Sequence, residues 1–509
     1  MSRSAVRSMP SASWAFVLAV LALLAVRAMH LTGPLDDPHS WRQCDTVWMS
    51  RTFARHGIDV LHPQVCWLGG HRTLIFELPL VEAITALLER AFGIADVWDR
   101  LVGLAFYLVA TVYFHRIVRA VTGPRPARFA TLAWLALPLS QFYSRAAHVD
   151  FAAVAFTHAL VWHALQAVRR RSWWHALGAG VAGALGAMIK APDLLPLLPP
   201  LLLVWLAMPD VPNLARLALA GLVTTGGFAV WRHHVNAVNA AAPDWSFLPG
   251  YYKEVNPWWW YFGNWGQRLE RAAWVRLARR LAFDVATPFG AIVAVAGLTW
   301  RPWRNGGHAA HDAPRAVPFL LAWALGSALY LLVFFPLNVI HNYYQIPFVA
   351  PVALAIGLGI DRLMSRPVVG GLVLVAFVAG CFATIRGLHY YRVDWRRVEA
   401  GRAIEARTRP GDLVIAADED AGYSDPRLLE RADRAGWSVA TPDLTPDRVR
   451  RLEAAGARWV AAVTDTARAS IPPAWLAPGE VAAVPLARHG EALGTLHLYD
   501  PGRVPAGAR

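Results

Sequence analysis

Residues 36–46 read Asp-Asp-Pro-His-Ser-Trp-Arg-Gln-Cys-Asp-Thr, three carboxylates, a histidine and an arginine placed just after the first long apolar stretch of the chain. Carboxylates can take a proton from an attacking hydroxyl, and a guanidinium can hold an anion through paired N–H donors. The segment they open, 32–97, mixes acids, bases, aromatics and prolines, whereas a mere connection between two membrane helices could be short and bland. It reads as an active-site loop.

Further polar groups stand at the ends of later apolar segments. Tyr143-Ser-Arg145-Ala-Ala-His148-Val-Asp150 gathers cations and an acid at one membrane depth, where they could orient a hydroxyl-bearing substrate. The plainer reading of Asp150 is a helix-start residue facing water. Asp45 has a structural alternative too, as the cap of a helix beginning at Thr46. Glu77 could orient a substrate or pair with Arg72. Lys190 ends an otherwise uncharged span of small residues, where a cation is costly unless it snorkels to the interface or meets an anion.

The elements that must position these groups follow from composition. Of 509 residues, 56% are hydrophobic and only 17% charged, with 24 Trp, which excludes an ordinary soluble enzyme. The formal charge of +14 invites a nucleic-acid partner. It falls largely in arginine clusters between apolar spans, at Arg116/Arg119/Arg125/Arg128, Arg169/Arg170/Arg171, Arg301/Arg304/Arg315 and Arg362/Arg366, the pattern of positive-inside topology signals. No phosphate loop or recognition helix competes, so no nucleic-acid partner is expected.

Hydropathy predicts about eleven transmembrane helices, near 13–31, 98–118, 128–143, 150–168, 173–189, 192–208, 214–231, 283–300, 317–335, 343–361 and 367–387. With the start inside, this odd count puts the arginine clusters in the cytoplasm and the loops 32–97, 144–149, 232–282 and 336–342 outside. The segment 76–92 is amphipathic and is expected to lie along the interface. The loop 232–282 carries Trp258-Trp-Trp-Tyr-Phe and then Arg268, Arg271, Arg276, Arg279 and Arg280 interleaved with Leu269, Trp274, Leu277 and Leu281. This predicts an interfacial amphipathic helix, either a roof over a lipid groove or an aromatic belt with headgroup contacts.

Two domains are expected, a transmembrane one over 1–390 and a soluble extracytoplasmic α/β domain over 391–509. In the latter, strands are predicted at 411–417 and 457–463 and helices at 426–435 and 445–455, the second opening with Thr-Pro-Asp. No GxGxxG follows its first strand. Cys44 and Cys66 share the first outer loop as a disulfide or as two free thiols. His39, His56, His62 and His71 show no metal-ligand spacing, so no metal site is assigned and dependence on a divalent ion stays open.

Several of these runs resemble the elements of bacterial GT-C glycosyltransferases of family 39, relatives of protein O-mannosyltransferases and of the lipid A aminoarabinose transferase. His39-Ser-Trp-Arg-Gln-Cys-Asp45-Thr with Met49-Ser-Arg51-Thr-Phe and Gly57 is similar to their first-loop signature. Phe76-Glu77-Leu-Pro79 is similar to their Phe-Glu-x-Pro element, and Tyr143–Asp150 to their second acidic site. Met188-Ile-Lys190-Ala-Pro192 is similar to a Thr-Lys-Gly type turn, and His341-Asn-Tyr-Tyr-Gln-Ile-Pro347 to a late His-x-Tyr-Tyr-x-x-Pro segment. The resemblance covers most of residues 1–390 in order. It implies a membrane-lipid partner and a polyprenyl-phosphate-linked sugar as donor substrate, with transfer to a glycan, lipid or protein hydroxyl, usually by inversion. The site would face outward from a bacterial cytoplasmic membrane.

On that resemblance Asp45 is the expected general base, with Asp37 or Asp36 as alternatives and Asp150 as a second catalytic acid. In the aminoarabinose branch the spacing would instead put Arg42 or Gln43 at the acid's position. Lys190, then His341, Arg42 and Arg145, would bind the donor phosphate, with Tyr343 or Tyr344 donating a hydrogen bond. Glu77 and His148 would bind substrate. The rival reading is a transporter or lipid flippase, which predicts ionisable residues near the bilayer midplane and matching halves.

Overall fold

A computed structural model describes residues 11–35, 38–253, 257–299, 315–465 and 472–505. Asp36 and Asp37, Arg301 and Arg304 lie outside the described residues. The chain divides into two compact units, one of Met1–Leu31, Arg100–Trp231 and Trp258–Tyr390, the other of Thr32–Asp99, Arg232–Pro257 and Tyr391–Arg509.

The first unit is helical. Among the described residues, seven helices in the chain are long and apolar enough to cross a membrane: Val97–Thr122, Asp150–Arg169, Trp173–Leu206, Val211–Ala240, Ala316–Val333, Asn342–Leu363 and Pro367–Gly387. The expected pair 173–189 and 192–208 forms one helical run with a 3-10 segment, Ala191–Leu197, at its middle, where Pro192 and Pro196 withhold N–H donors. The expected span 128–143 is split at Pro138 into Pro124–Ala136 and Pro138–Tyr143. The expected spans 13–31 and 283–300 correspond to short helices, Ser11–Ala25 and Pro288–Thr299. The architecture is thus the polytopic helical one expected, with seven helices of spanning length among the described residues in place of the expected eleven.

Burial ranks these helices. In Asp150–Arg169, 83% of the apolar window is covered by protein, against 22% in Val211–Ala240 and in Pro367–Gly387. The helix that begins with Asp150 is therefore central, and polar groups on it must find protein partners.

The second unit holds a five-stranded sheet in the order β2-β1-β3-β5-β4, with β1 Leu413–Asp418, β2 Gly436–Ala440, β3 Ala457–Asp465, β4 Glu480–Arg488 and β5 Glu491–Tyr499. The first three strands are parallel, and β5 runs antiparallel to both β3 and β4. The small α/β fold matches expectation. Thr445 caps the helix Pro446–Ala454 by accepting from the Arg448 N–H at 3.3 Å, with Pro446 in the first turn. The β4–β5 hairpin was not expected. Its turn, His489-Gly490, has φ of 49° and 83°, the backbone that Asn-Gly ordinarily signals.

The sheet's core also takes in Trp48, Met49, Val65, Cys66, Trp67, Leu68, Leu74 and Leu248 from segments 32–99 and 232–257 of the same unit. Gly436 at the start of β2 donates to the Cys66 carbonyl at 2.8 Å and accepts from the Gly69 N–H at 2.7 Å. Arg51 pairs with Glu430 at 2.8 Å.

The segment 76–92 forms the helix Leu80–Phe92, whose 13 residues are too few to cross a bilayer. It is amphipathic as expected, with the polar side inward. Glu82, Thr85 and Glu89 are buried, while Leu87 and Phe92 are exposed. Arg90 ties it to the helix Ser40–His56 by donating to the carbonyls of Ala54 at 3.0 Å and Phe53 at 2.9 Å. An apolar outer face on a short helix suits an interfacial position.

Gly69 tests how segment 32–99 packs on the sheet. Its φ is +66°, and an added Cβ would fall 2.2 Å from the Trp437 indole. Gly69→Ala should lower stability by about 2–4 kcal/mol, from left-handed backbone strain together with overpacking. Thermal unfolding followed by Trp fluorescence in detergent measures it, and an unchanged midpoint would refute the packing described.

Candidate functional site

Each unit carries one constellation of the expected polar residues. In the first unit it starts from two antiparallel helices, Asp150–Arg169 and Trp173–Lys190, joined by a tight turn in which the Ser172 side chain accepts from the His175 N–H at 3.4 Å. Small residues allow their close approach; a Cβ on Gly186 would lie 3.1 Å from the Thr157 methyl. The antiparallel arrangement brings the first residue of one helix to the last residue of the other. The Lys190 ammonium donates to the Asp150 carboxylate, and His148 Nδ1 contacts the other Asp150 oxygen. Asp150 is 1% exposed and Lys190 9%, so neither faces open water. Asp150 starts its helix but caps nothing through its side chain, and its partners exclude the reading of a solvated helix-start acid.

The 3-10 turn after Lys190 returns Asp193 to within 3.8 Å of the Lys190 ammonium. A second turn, Asn342–Gln345, covers the group with rings. Lys190 Nζ lies 4.2 Å from the Tyr344 centroid and 5.3 Å from that of Tyr343, within cation–π range. The Tyr343 ring also meets His148 at 4.7 Å and stacks on His341 at 4.9 Å. Tyr143 donates to Asn342 Oδ1 at 2.6 Å, which ties the segment before Asp150 to this turn.

The fold thus brings together His148, Asp150, Lys190, His341, Tyr343 and Tyr344. Arg145, fully buried, donates to the His30 carbonyl at 3.3 Å and packs over Phe142. Asp193, Asn342 and Tyr143 were not singled out. Asp193 stands three residues after Lys190, a spacing readable in the sequence; Asn342 and Tyr143 belong to the runs 341–347 and 143–150, where no local pattern marks their pairing.

In the second unit, the helix Ser40–His56 starts at Ser40 after His39, whose φ is 59°. Asp45 therefore lies inside the helix, and the alternative of a cap for a helix starting at Thr46 is excluded. Arg42 and Asp45 share a face at i and i+3, with Nη1 and Oδ2 3.9 Å apart. Asp45 is 1% exposed and accepts from the Trp67 indole N–H at 3.1 Å. The other Arg42 nitrogen pairs with Glu77, which replaces the expected alternative of an Arg72 partner. Phe76 sits under the guanidinium at 5.2 Å and stacks on Trp67. A buried acid is therefore held between a neutral donor and a cation shared with a second acid.

Three groups on or beside this helix carry shifted acidities. Burial pushes Glu82 up to about 7, with Arg42 pulling against it. Burial likewise raises the thiols of Cys44 and Cys66, which are both free; the disulfide alternative is not realised. Among the described residues, no group of three or more His, Cys, Asp or Glu is arranged to hold a metal ion.

Residues 77–231 match the family model described as dolichyl-phosphate-mannose-protein mannosyltransferase. No curated protein sequence matches the chain. Among solved structures, ArnT from Cupriavidus metallidurans, crystallised with undecaprenyl phosphate, superposes with a TM-score of 0.59 at 15% identity, over 96% of this chain and 98% of that one. The oligosaccharyltransferase AglB from Archaeoglobus fulgidus, in complex with an inhibitory peptide and a dolichol-phosphate, gives 0.57 at 11% identity over 96% and 74%. The arabinofuranosyltransferase AftD from Mycobacteria gives 0.57 at 14% identity, over 99% of this chain but 40% of that one. The family match covers residues 77–231, and the likeness to these three structures is one of fold.

Glu82 yields a pH prediction. Its folded-state value lies above the ordinary carboxylate value of 4.5, so the folded chain binds the extra proton between about pH 4.5 and 7. Its contribution to stability is therefore intact below about 4.5 and declines as pH rises through 7. Glu82→Gln should flatten that decline and raise stability at pH 8 by roughly 1–3 kcal/mol. Unfolding midpoints of the two proteins at pH 5 and pH 8 check this, and parallel pH profiles would refute it.

Proposed function

We propose that the chain transfers a sugar from a polyprenyl-phosphate donor to an acceptor hydroxyl, with inversion, at the outer face of a bacterial cytoplasmic membrane. The fold and the matched family support a lipid-linked donor, as does the undecaprenyl phosphate or dolichol-phosphate bound in ArnT and AglB. The peptide held by AglB and the mannosyltransferase match favour a protein hydroxyl as one acceptor, beside glycan and lipid. The outward placement rests on the arginine clusters between spans.

The observation that carries the assignment of the base is the setting of Asp45. Asp45 is buried in the helix Ser40–His56, accepts from the Trp67 indole N–H at 3.1 Å, and lies 3.9 Å from an Arg42 guanidinium that Glu77 also engages. A carboxylate so placed can take the proton of an attacking hydroxyl. Asp150, in contrast, is clamped by Lys190 and His148, which suits an orienting anion better than a base.

In the proposed step the acceptor oxygen attacks the anomeric carbon while its proton passes to Asp45. The bond from that carbon to the phosphate oxygen breaks, its electron pair stays on oxygen, and polyprenyl phosphate leaves. Lys190, His148 and His341 supply cationic or N–H contacts for phosphate, and Tyr343 or Tyr344 a hydroxyl donor. Arg42 and Glu77 fix Asp45 and position substrate.

Transfer from radiolabelled polyprenyl-phosphate sugars to a membrane-extract acceptor pool tests this. Asp45→Asn should lower the rate by roughly 10²–10⁴-fold, the usual worth of a general base, with little change in the donor concentration at half-maximal rate. Asp150→Asn should lower the rate and weaken donor binding together. Wild-type rates in both variants would refute the assignment. Donor left unconsumed by wild type while a solute or lipid crosses vesicles would replace it with transport.

A further inference from the structure

The helix Arg271–Arg280 presents two different faces. Ala273 and Leu277 are buried against Leu331 and Phe335. Ala272, Val275, Arg276 and Arg279, at helical positions i, i+3, i+4 and i+7, line a groove of about 1120 Å³ together with Arg271, Arg280, Phe283 and the end of the helix Pro367–Gly387 at Ala383–Leu388.

The charges in this groove are unbalanced. Arg280 is occupied, donating to the carbonyls of Asn338 and Val339 at 2.9 Å and of Ile340 at 3.2 Å. Asp284 is the one carboxylate of the lining, and it accepts from Asn342 Nδ2 at 3.4 Å. Arg271, Arg276 and Arg279 have no side-chain hydrogen bond or ion pair among the described residues. Three cations beside an apolar wall, at the end of a membrane-length helix, ask for a ligand with an anionic head and greasy chains.

We propose that this groove binds an anionic diacyl phospholipid. Its phosphate sits on Arg276 and Arg279, with Arg271 at the rim, and an acyl chain runs along Val275, Phe283, Ala383 and Leu388. Guanidinium forks match phosphate oxygens in pairs, and exposed apolar residues such as Val275 and Phe283 gain by chain contact. The site uses none of the residues assigned to sugar transfer and stands without that assignment.

The test uses the full chain purified into phosphatidylcholine nanodiscs, with phosphatidylglycerol titrated in and retained lipid counted by native mass spectrometry. Wild type should retain phosphatidylglycerol over phosphatidylcholine by roughly tenfold, and R276Q/R279Q should lose that preference. R276K/R279K, which keeps the charge, should restore most of it. All three should unfold at one temperature in pure phosphatidylcholine, since neither side chain holds the fold. Undiminished preference in R276Q/R279Q, equal retention of the two lipids, or displacement by inorganic phosphate alone would overturn the proposal. Displacement by undecaprenyl phosphate at lower concentration would assign the groove to the donor and overturn it equally.

Discussion

A charge taken out of water must be given partners, and the polar organisation of this protein follows from that cost. Arg27 shows the rule away from any chemistry. It is 1% exposed among helices, and it donates to Ser144 Oγ at 2.7 Å, the Tyr107 hydroxyl at 3.0 Å and the carbonyls of Leu23 and Leu135 at 2.6 and 2.9 Å. No anion is required, because carbonyl dipoles spread over one guanidinium suffice. Asp150 follows the other route, with Lys190 and His148 brought to it by helix ends. Where partners come from three or four segments, the ion fixes how those segments pack. Sequence changes there act on architecture and chemistry together.

The helix Leu80–Phe92 obeys the same rule with its faces exchanged. In a water-soluble protein a helix hides its apolar stripe, whereas here Glu82, Thr85 and Glu89 turn inward and Leu87 and Phe92 outward. A nonpolar surrounding on the outer side reverses the usual preference. The inward acids must then either pair or take up a proton, and Glu82, raised to about 7, sits near that balance.

The sequence made the helical membrane architecture legible because long apolar runs and arginine clusters are strong, additive signals. It was weaker wherever proline or distant packing decided. Pro138 splits a span whose hydropathy alone looks continuous, whereas at Pro192 two expected spans join through a 3-10 segment into one helical run. Expected site residues within one helix end or one turn, such as Asp150 with His148 or Tyr343 with Tyr344, were readable together because local geometry links them. The partners of Lys190 and of Arg42 were not. Asp150 reaches Lys190 across 40 positions and Glu77 reaches Arg42 across 35, and no local pattern encodes such pairings. The packing of Trp48 and Trp67 with the sheet was invisible for the same reason, since each apolar residue has many possible partners and only the folded chain selects among them.

Helix ends recur in the constellation of the first unit, and the reason is physical. A side chain in the middle of a spanning helix is fixed but inaccessible, and one in a free loop is accessible but poorly fixed. The first turn of Asp150–Arg169, the last turn of Trp173–Lys190 and the 3-10 turn Asn342–Gln345 satisfy both needs. Their backbones are held by the bundle, while their side chains project where regular structure stops. A helix start also favours an anion and a helix end a cation, so the Asp150–Lys190 pair is supported by both macrodipoles at once. Lengthening either helix by one residue would rotate its terminal side chain by about 100° and break the pair. The lengths of these two helices, and the turn of Arg170 to Ser172 that keeps them in register, are therefore part of the site as much as the ions they present.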